Sequence, residues 1–209
     1  MICCSIIAQA HGEIMPLLPC LVLIGGRSGC GKTTLVDLLV AKFPLAYARV
    51  PSFTSRARRP GEGDTEYCFV TREALRGMYQ RGELLSLDEA YGENYGMSRQ
   101  ALEAIFATGR FAVKEIHAKN HAAVRSAMPE TICVLLQLAD ERWSDERGDL
   151  DPARALRLAE DQQYYAALEL GRFEIVHRIE VGETPSMTAE ALHAQLQALV
   201  ATRRQGPGL

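Results

Sequence analysis

A glycine-rich segment at residues 26–33 carries the strongest chemical signal in this sequence. Its residues, Gly-Arg-Ser-Gly-Cys-Gly-Lys-Thr, fit the pattern G-x-x-x-x-G-K-[ST] of a phosphate-binding loop. Glycines allow consecutive backbone N–H groups to turn inward around a triphosphate, and the lysine can reach its β- and γ-phosphates. The threonine hydroxyl can ligate Mg²⁺. The segment predicts an ATP site made of Gly26, Arg27, Ser28, Gly29, Cys30, Gly31, Lys32, Thr33 and Thr34.

A cluster of arginines follows in a polar stretch of the chain. Arg56, Arg58 and Arg59 stand so close together that they would repel one another unless an anion or solvent relieved the repulsion. Arginine guanidinium groups match phosphate oxygens in a bidentate way, so the cluster favours a second anion site. From this stretch alone, a solvated run of charges explains the arginines equally well.

The elements that must position these groups are predicted by hydrophobic periodicity. An apolar run at residues 21–24 precedes the loop, and apolar residues recur at helical spacing over 34–40. A strand, a loop and a helix N-terminus together form an anion site with a favourable dipole. Further strands are predicted at residues 46–50, 67–70, 84–90, 110–116, 131–138 and 173–181, and further helices at 71–81, at 98–108, from Pro152 and at 188–203.

The composition of the whole chain is that of an ordinary soluble globule. At 209 residues, 47% hydrophobic and 23% charged, it suits one α/β domain with insertions. A net charge of −3 gives no electrostatic footprint for nucleic acid or an acidic membrane. No apolar run reaches the roughly 18 residues of a membrane helix.

The cysteines and the N-terminal residues bear on where the protein works. The six cysteines show no C-x-x-C pairing and no zinc-type spacing, which predicts free thiols in a reducing compartment, the cytoplasm. The first fourteen residues are apolar but lack the basic segment of a secretory signal. Met15-Pro16 stands directly before the first predicted strand, so Met15 is an alternative start.

Four motifs occur in the order and spacing of guanylate kinases. They are the phosphate-binding loop, S-x-T-[TS]-R-x-x-R-x-G-E from Ser52, Y-x-F-V from Tyr67 and E-x-x-G-x-x-Y-G from Glu89. The chain resembles that family over residues 21–199 and most closely over 21–96. The resemblance implies an enzyme that transfers the γ-phosphoryl group of ATP to a nucleoside monophosphate, GMP or dGMP, with Mg²⁺ and as a monomer or homodimer.

The resemblance also implies a fold. It predicts a three-layer α/β phosphate-loop domain with a parallel sheet over residues 16–204. Its core would comprise residues 16–50, 98–138 and 158–204, with an acceptor-binding insertion at 51–97 and a lid at 139–157.

Roles for single residues follow from the same resemblance. The phosphate of the acceptor would be held by Ser52, Arg56, Arg59, Tyr67 and Tyr95. Glu89 would face the base, and Glu115 would place a carboxylate at the cleft. Charge on the transferred group would be neutralised by Lys32, Arg56 and the lid arginines Arg147 and Arg157. Thr33 would hold Mg²⁺ through the nucleotide.

The sequence departs from the family pattern at several positions. The family strand matching residues 110–116 ends Asp-(Ile/Val)-Asp and is followed by glutamine, whereas this chain has Glu115, His117 and Lys119. Met97 stands where the family has Thr or Ser donating to guanine O6. His117 and His121, four apart on a predicted helix, also suit a metal-ligand pair.

These departures leave two alternatives open. One is a related kinase for another phosphorylated acceptor, such as a ribose bisphosphate. The other is a guanylate kinase-like module that binds a partner without catalysis, against which the intact loop argues.

Overall fold

A parallel sheet forms the centre of the protein. The computed structural model describes residues 20–58, 67–90, 92–139 and 152–205. Five strands lie in the order β2 (Tyr47–Arg49), β7 (Phe111–Glu115), β1 (Leu21–Gly26), β8 (Ile132–Leu138) and β9 (Ile175–Ile179). Every neighbouring pair is parallel, which confirms the predicted sheet. All six residues of β1 are buried, as is typical of a strand covered on both faces.

Helices cover both faces of this sheet and complete three layers. Val22 and Ile24 point into a core with α1 (Lys32–Lys42) and α6 (Pro185–Gln205). Leu21 and Leu23 point the other way, into a core with α3 (Arg99–Phe106) and α4 (His121–Ala127). The alternation of side chains along a strand therefore divides the apolar residues of β1 between two cores.

A second, smaller sheet lies within the predicted insertion. Its four strands follow the order β4 (Tyr67–Phe69), β3 (Ser52–Thr54), β6 (Glu93–Ser98) and β5 (Leu84–Ala90), and α2 (Arg72–Gln80) packs against it. The sheet is mixed, since β3 pairs with β4 in parallel and with β6 antiparallel. Strand β3 was not expected from the sequence. Its three residues have little strand signal, and pairing on both sides stabilises the strand.

The helix boundaries show where local signals worked and where they did not. The Ser98 hydroxyl caps α3 by accepting from Ala101 N at 3.2 Å, and Gly109 follows the helix with φ 75°, both as predicted. α5 (Pro152–Ala166) begins at the predicted proline and runs across the predicted boundary between lid and core. None of the described helices is both long and apolar enough to cross a membrane.

The predicted helix that would carry both His117 and His121 is wrong. His117 precedes a 3-10 turn at Ala118–Asn120, and α4 begins only at His121. The two imidazoles therefore do not share one helix face, which removes the geometric basis for a metal-ligand pair.

Candidate active site

Residues 26–33 form a loop between the carboxyl end of β1 and the first turn of α1. Gly31 caps the helix with φ 88°, a left-handed conformation that glycine adopts without steric cost. Gly26 has φ 152°, and a Cβ there would lie 2.6 Å from Cys30 Sγ and 2.9 Å from Leu136 O. The first N–H groups of a helix have no acceptor within the helix, so this loop presents donors to an anion.

The Lys32 side chain folds back over the loop. Its Nζ donates to Gly26 O at 2.6 Å and to Arg27 O at 2.7 Å. Both acceptors are loop carbonyls, so the positive charge lies where phosphates bound to the loop would be.

The loop opens into a cleft of about 410 Å³ that also contains the predicted acceptor residues. On the loop side the cleft is lined by Gly26, Ser28, Gly29, Gly31, Lys32, Thr33 and Thr34. The same cleft is lined by Ser52, Arg56, Tyr67, Asp88, Tyr95 and Glu115. The structure thus brings both predicted anion sites into one cavity. Arg27 and Cys30 do not line it, and Cys30 is buried beneath the loop.

Arg56 is held by aromatic rings at one end of this cleft. Its guanidinium lies 4.5 Å from the Tyr67 ring centroid and 5.5 Å from that of Phe69, and Nη1 donates to Ala57 O at 2.9 Å. Burial raises the pKa of Tyr67 to about 12, so its hydroxyl remains a donor at neutral pH. These contacts orient a buried guanidinium and a phenol toward the same space, which suits a phosphate. Arg59 lies outside the described residues.

Glu115 is fixed by an arginine that the sequence analysis did not identify. Arg49 Nη1 donates to Glu115 Oε1 at 2.6 Å, while Nη2 donates to Asp37 Oδ1 at 2.6 Å and to Thr33 O at 3.2 Å. The arginine therefore ties the carboxylate to the first turns of α1. Glu115 Oε2 is buried and has no hydrogen-bond partner.

The structure places the residue predicted to face the base, Glu89, outside the cleft. Glu89 is exposed and does not line the cleft, whereas Asp88 does. Successive residues of a strand face opposite sides, so Ser86 and Asp88 share the cleft face of β5. Ser86 Oγ donates to Asp88 Oδ2 at 2.9 Å, and burial raises the pKa of the Asp88 carboxyl. The period of two along β5 puts Asp88 and Glu89 on opposite faces, and the packing of the strand decides which of the two faces the cleft.

The other departures from the family pattern are explained by packing and capping. Met97 is 2% exposed and packs in the core beside Leu85 rather than lining the cleft. The Ser98 hydroxyl is engaged as the cap of α3. Asn120 does line the cleft, so a carboxamide is available there.

His117 also lines the cleft, and both of its ring nitrogens are engaged. Its Nδ1 accepts from Lys119 N at 3.1 Å, and its Nε2 lies 3.0 Å from Asp161 Oδ1. His121 is 4% exposed with neither nitrogen hydrogen-bonded, and burial lowers its pKa to about 3. Among the residues that the structure describes, no group of three or more His, Cys, Asp and Glu side chains could hold a metal ion.

The predicted lid arginines are not placed. Arg147 lies outside the described residues, and for Arg157 only the backbone within α5 is described.

Comparison with known proteins supports the relationship inferred from the motifs. A family model described as guanylate kinase matches residues 19–160. The guanylate kinase of Xanthomonas campestris pv. campestris (strain 8004) is 31% identical over 170 residues, covering 78% of this chain and 81% of the relative. That of Chlamydia felis is 31% identical over 146 residues, covering 68% and 72%. The solved guanylate kinase of Anaplasma phagocytophilum shares the fold, with a TM-score of 0.67, 19% identity and 89% coverage of both chains.

Proposed function

The chain belongs to the guanylate kinase family, and we propose that it transfers the γ-phosphoryl group of ATP to GMP or dGMP. One observation carries the proposal: the phosphate-binding loop and the Arg56 site line the same cleft. A triphosphate on the loop and a monophosphate at Arg56 would face each other across that cavity. In-line phosphoryl transfer requires such an arrangement.

Side chains of this chain would neutralise the charge that moves in the reaction. Lys32 already lies over the loop and would turn from the carbonyls of Gly26 and Arg27 onto the phosphates. Arg56 would hold the attacking phosphate, with Ser52, Tyr67 and Tyr95 as further donors beside it. We assign the same role to Arg59 for the acceptor and to Arg147 and Arg157 for the triphosphate, on the basis of the motifs alone.

The residues at the floor of the cleft fit the Mg²⁺ ion that ATP brings. Thr33 lines the cleft beside the loop, and Glu115 Oε2 is a buried carboxylate oxygen without a hydrogen-bond partner. Hydroxyl and carboxylate oxygens are ligands that Mg²⁺ prefers, directly or through water. When bound, the ion would neutralise charge on the β- and γ-phosphates. Arg49 holds the other oxygen of Glu115 and so orients the free one.

Recognition of the base is assigned to Asp88 in place of Glu89. Guanine presents N1–H and the N2 amine as neighbouring donors, and a carboxylate can accept from both. Ser86 already donates to Oδ2 of Asp88, which leaves Oδ1 for the base. Asn120 lines the same cleft and would supply the donor to guanine O6 that Met97 cannot supply.

We propose that the reaction takes place in the cytoplasm. The described cysteines, Cys20, Cys30, Cys68 and Cys133, are free thiols, which suits a reducing compartment. ATP and a nucleoside monophosphate are the partners that the reaction needs, and the chain would act as a monomer or homodimer.

A substrate panel tests the proposed function. ADP release is measured with ATP, Mg²⁺ and each of GMP, dGMP, AMP, UMP and a ribose bisphosphate. GMP and dGMP are expected to give the highest kcat/KM, by at least about tenfold, since a mismatched polar group costs about 1–3 kcal/mol. Preference for the ribose bisphosphate would establish the other kinase, and no turnover with any acceptor would favour a binding module.

Asp88 and its neighbour Glu89 form a matched pair for testing base recognition. The test uses Asp88→Asn, which keeps the size of the side chain, and Glu89→Gln as the exposed control. We expect Asp88→Asn to reduce the ratio of kcat/KM for GMP over AMP by about ten- to a hundredfold, because its amine would face a guanine donor. Glu89→Gln should leave that ratio unchanged. The opposite result would return base recognition to Glu89.

A further inference from the structure

Helix α5 contacts the phosphate-binding loop through two side chains one turn apart. Tyr165 Oη accepts from Gly26 N at 3.1 Å, and Asp161 Oδ2 accepts from Ser28 N. Residues four apart lie on the same face of a helix, so both acceptors face the loop. The motifs of the sequence did not identify either residue.

His117 orients the carboxylate that makes one of these contacts. Because His117 Nδ1 accepts from the backbone N–H of Lys119, its lone pair is used there, and the neutral ring carries its proton on Nε2. That Nε2–H donates to Asp161 Oδ1 at 3.0 Å. Asp161 therefore accepts from the imidazole with one oxygen and from the loop with the other.

The burial of Asp161 makes its hydrogen bonds with His117 and Ser28 necessary. The residue is 0% exposed, and a buried carboxylate is tolerated only where hydrogen bonds replace its hydration. The rings of His117 and Tyr165 also lie 5.5 Å apart, so the imidazole packs against the second loop-contacting residue. One structural unit therefore links the end of β7, α5 and the loop.

We propose that Asp161 and Tyr165 are positioning residues for ATP. They hold the N–H groups of Gly26 and Ser28 on α5, and Cys30 N donates to Arg27 O at 3.2 Å, so the triphosphate would meet the N–H groups of Gly29, Gly31, Lys32 and Thr33. This inference rests on the proposed ATP site.

Tyr165→Phe is the cleanest test, because it removes one acceptor without changing charge. Binding of a non-hydrolysable ATP analogue is measured by calorimetry, and exchange of the Gly26 amide by hydrogen-exchange NMR. We expect roughly three- to tenfold weaker binding and faster exchange at Gly26, while the GMP dissociation constant changes less than about twofold. Tyr164→Phe is the matched control, since Tyr164 lies beside His117 with a ring-centroid distance of 5.0 Å and should show neither effect.

The role of Asp161 is tested with Asp161→Asn and with a second, uncharged substitution that should restore analogue binding. In Asp161→Asn one of the two acceptor oxygens becomes an amine, which must face a donor, either Ser28 N–H or His117 Nε2–H, so analogue binding should weaken about tenfold and Ser28 exchange should accelerate. Adding His117→Gln supplies an oxygen for the new amide, which frees the Asn oxygen for Ser28. The double variant should recover at least about threefold in affinity.

The outcomes separate this inference from the proposed function. Unchanged analogue affinity and unchanged amide exchange in Tyr165→Phe and Asp161→Asn would overturn the positioning role, even if both variants melted at lower temperature. If the unmodified protein failed to bind the analogue, the proposed function would fail. Faster exchange at Gly26 in Tyr165→Phe would then still support the contact between α5 and the loop, and unchanged exchange would overturn it.

Discussion

Two charged side chains in the cleft, Glu115 and Arg56, are held by neighbours from another part of the chain. Glu115 is held by Arg49 of β2, and Arg56 lies over the ring of Tyr67. Such contacts fix the direction of a charge before any ligand arrives, which lowers the cost of ordering it on binding. At the scale of single residues, the cleft is therefore largely prearranged for anions.

Lys32→Ala should abolish most phosphoryl transfer without unfolding the protein. The amino group contacts only atoms of the loop, the carbonyls of Gly26 and Arg27 and the sulfur of Cys30 at 3.9 Å, so its loss should cost little stability. Removing one preorganised donor from a reaction centre typically lowers kcat by about 10²–10³. Lys42→Ala, which removes an amino group paired with Glu190 at the far end of α1, is the control and should retain native turnover. Native turnover in Lys32→Ala would show that ATP is bound elsewhere.

Arg56→Ala should affect the acceptor and leave ATP alone. The buried guanidinium would lose a bidentate contact with phosphate, worth about 1.5–3 kcal/mol, so kcat/KM for GMP should fall roughly ten- to a hundredfold. Arg58 makes a matched control, since its exposed guanidinium stacks on Phe69 outside the cleft. Steady-state kinetics with GMP and ATP varied in turn measure the effect on each substrate separately. A variant with poor ATP affinity and normal GMP kinetics would reverse the assignment of the two sites.

At the scale of secondary structure, the alternation of strand faces and the capping of helices determine which side chains are used within the fold and which can contact a ligand. The period of two along β5 places Asp88 in the cleft and Glu89 in solvent. The N-cap of α3 uses the hydroxyl of Ser98, which adjoins Met97, so that hydroxyl already has a hydrogen-bond partner. The strand or helix that carries two adjacent residues thus determines which of them can bind a ligand.

Ser98→Ala should therefore change stability and not specificity. Loss of an N-cap hydroxyl typically costs about 1 kcal/mol. Thr71→Ala, which removes the equivalent cap of α2, should cost a similar amount. Urea unfolding and the GMP/AMP ratio are measured on both variants. A shift in base preference with unchanged stability in Ser98→Ala would show that the hydroxyl contacts the base.

At the scale of the whole molecule, the interior contains an unsatisfied imidazole at the junction of β1, α4 and the segment just before β9. His121 packs against the Phe173 ring at 5.6 Å, and a Cβ at Gly25 would lie 3.0 Å from its ring. Both nitrogens are buried without hydrogen-bond partners. Burial, followed by the charge of Arg125, lowers its pKa to about 3, so this group couples folding to pH.

The sign of that coupling follows from proton uptake. The unfolded chain protonates His121 near its ordinary pKa of about 6.5, whereas the folded chain does so only near 3. Stability from this residue is therefore lost as pH falls from 6.5 toward 3, by about 2 kcal/mol between 6.5 and 5.

His121→Leu should lose less stability on acidification than the unmodified protein. Comparing urea unfolding at pH 7.5 and 5.0 should show a fall smaller by about 2 kcal/mol in the variant. At neutral pH the variant should be at least as stable, because the unsatisfied nitrogens are removed. An equal fall in both proteins would mean that other groups cause the acid sensitivity.

Local patterns were sufficient to predict much of this protein. The phosphate-binding loop, the buried parallel strands and the first residues of α3 and α5 depend on residues close in sequence, where spacing determines backbone geometry. The Arg56 site and the mixed insertion followed from motifs of similar length. Arg147, most of the predicted lid and Arg59 lie outside the described residues, and their roles remain predictions.

Contacts between distant segments were decided only by the tertiary structure. Asp161 meets Ser28 across 133 residues, and Arg49 meets Glu115 across 66. Neither pairing leaves a periodic or motif signal, because the partners are brought together by strand order and helix packing. The exposed Glu89 illustrates the same limit, since the cleft face of β5 is determined by the sheet against which the strand packs. Sequence spacing specified the chemistry of the loop. The packing of β7 and α5 decided which side chains hold the loop in place.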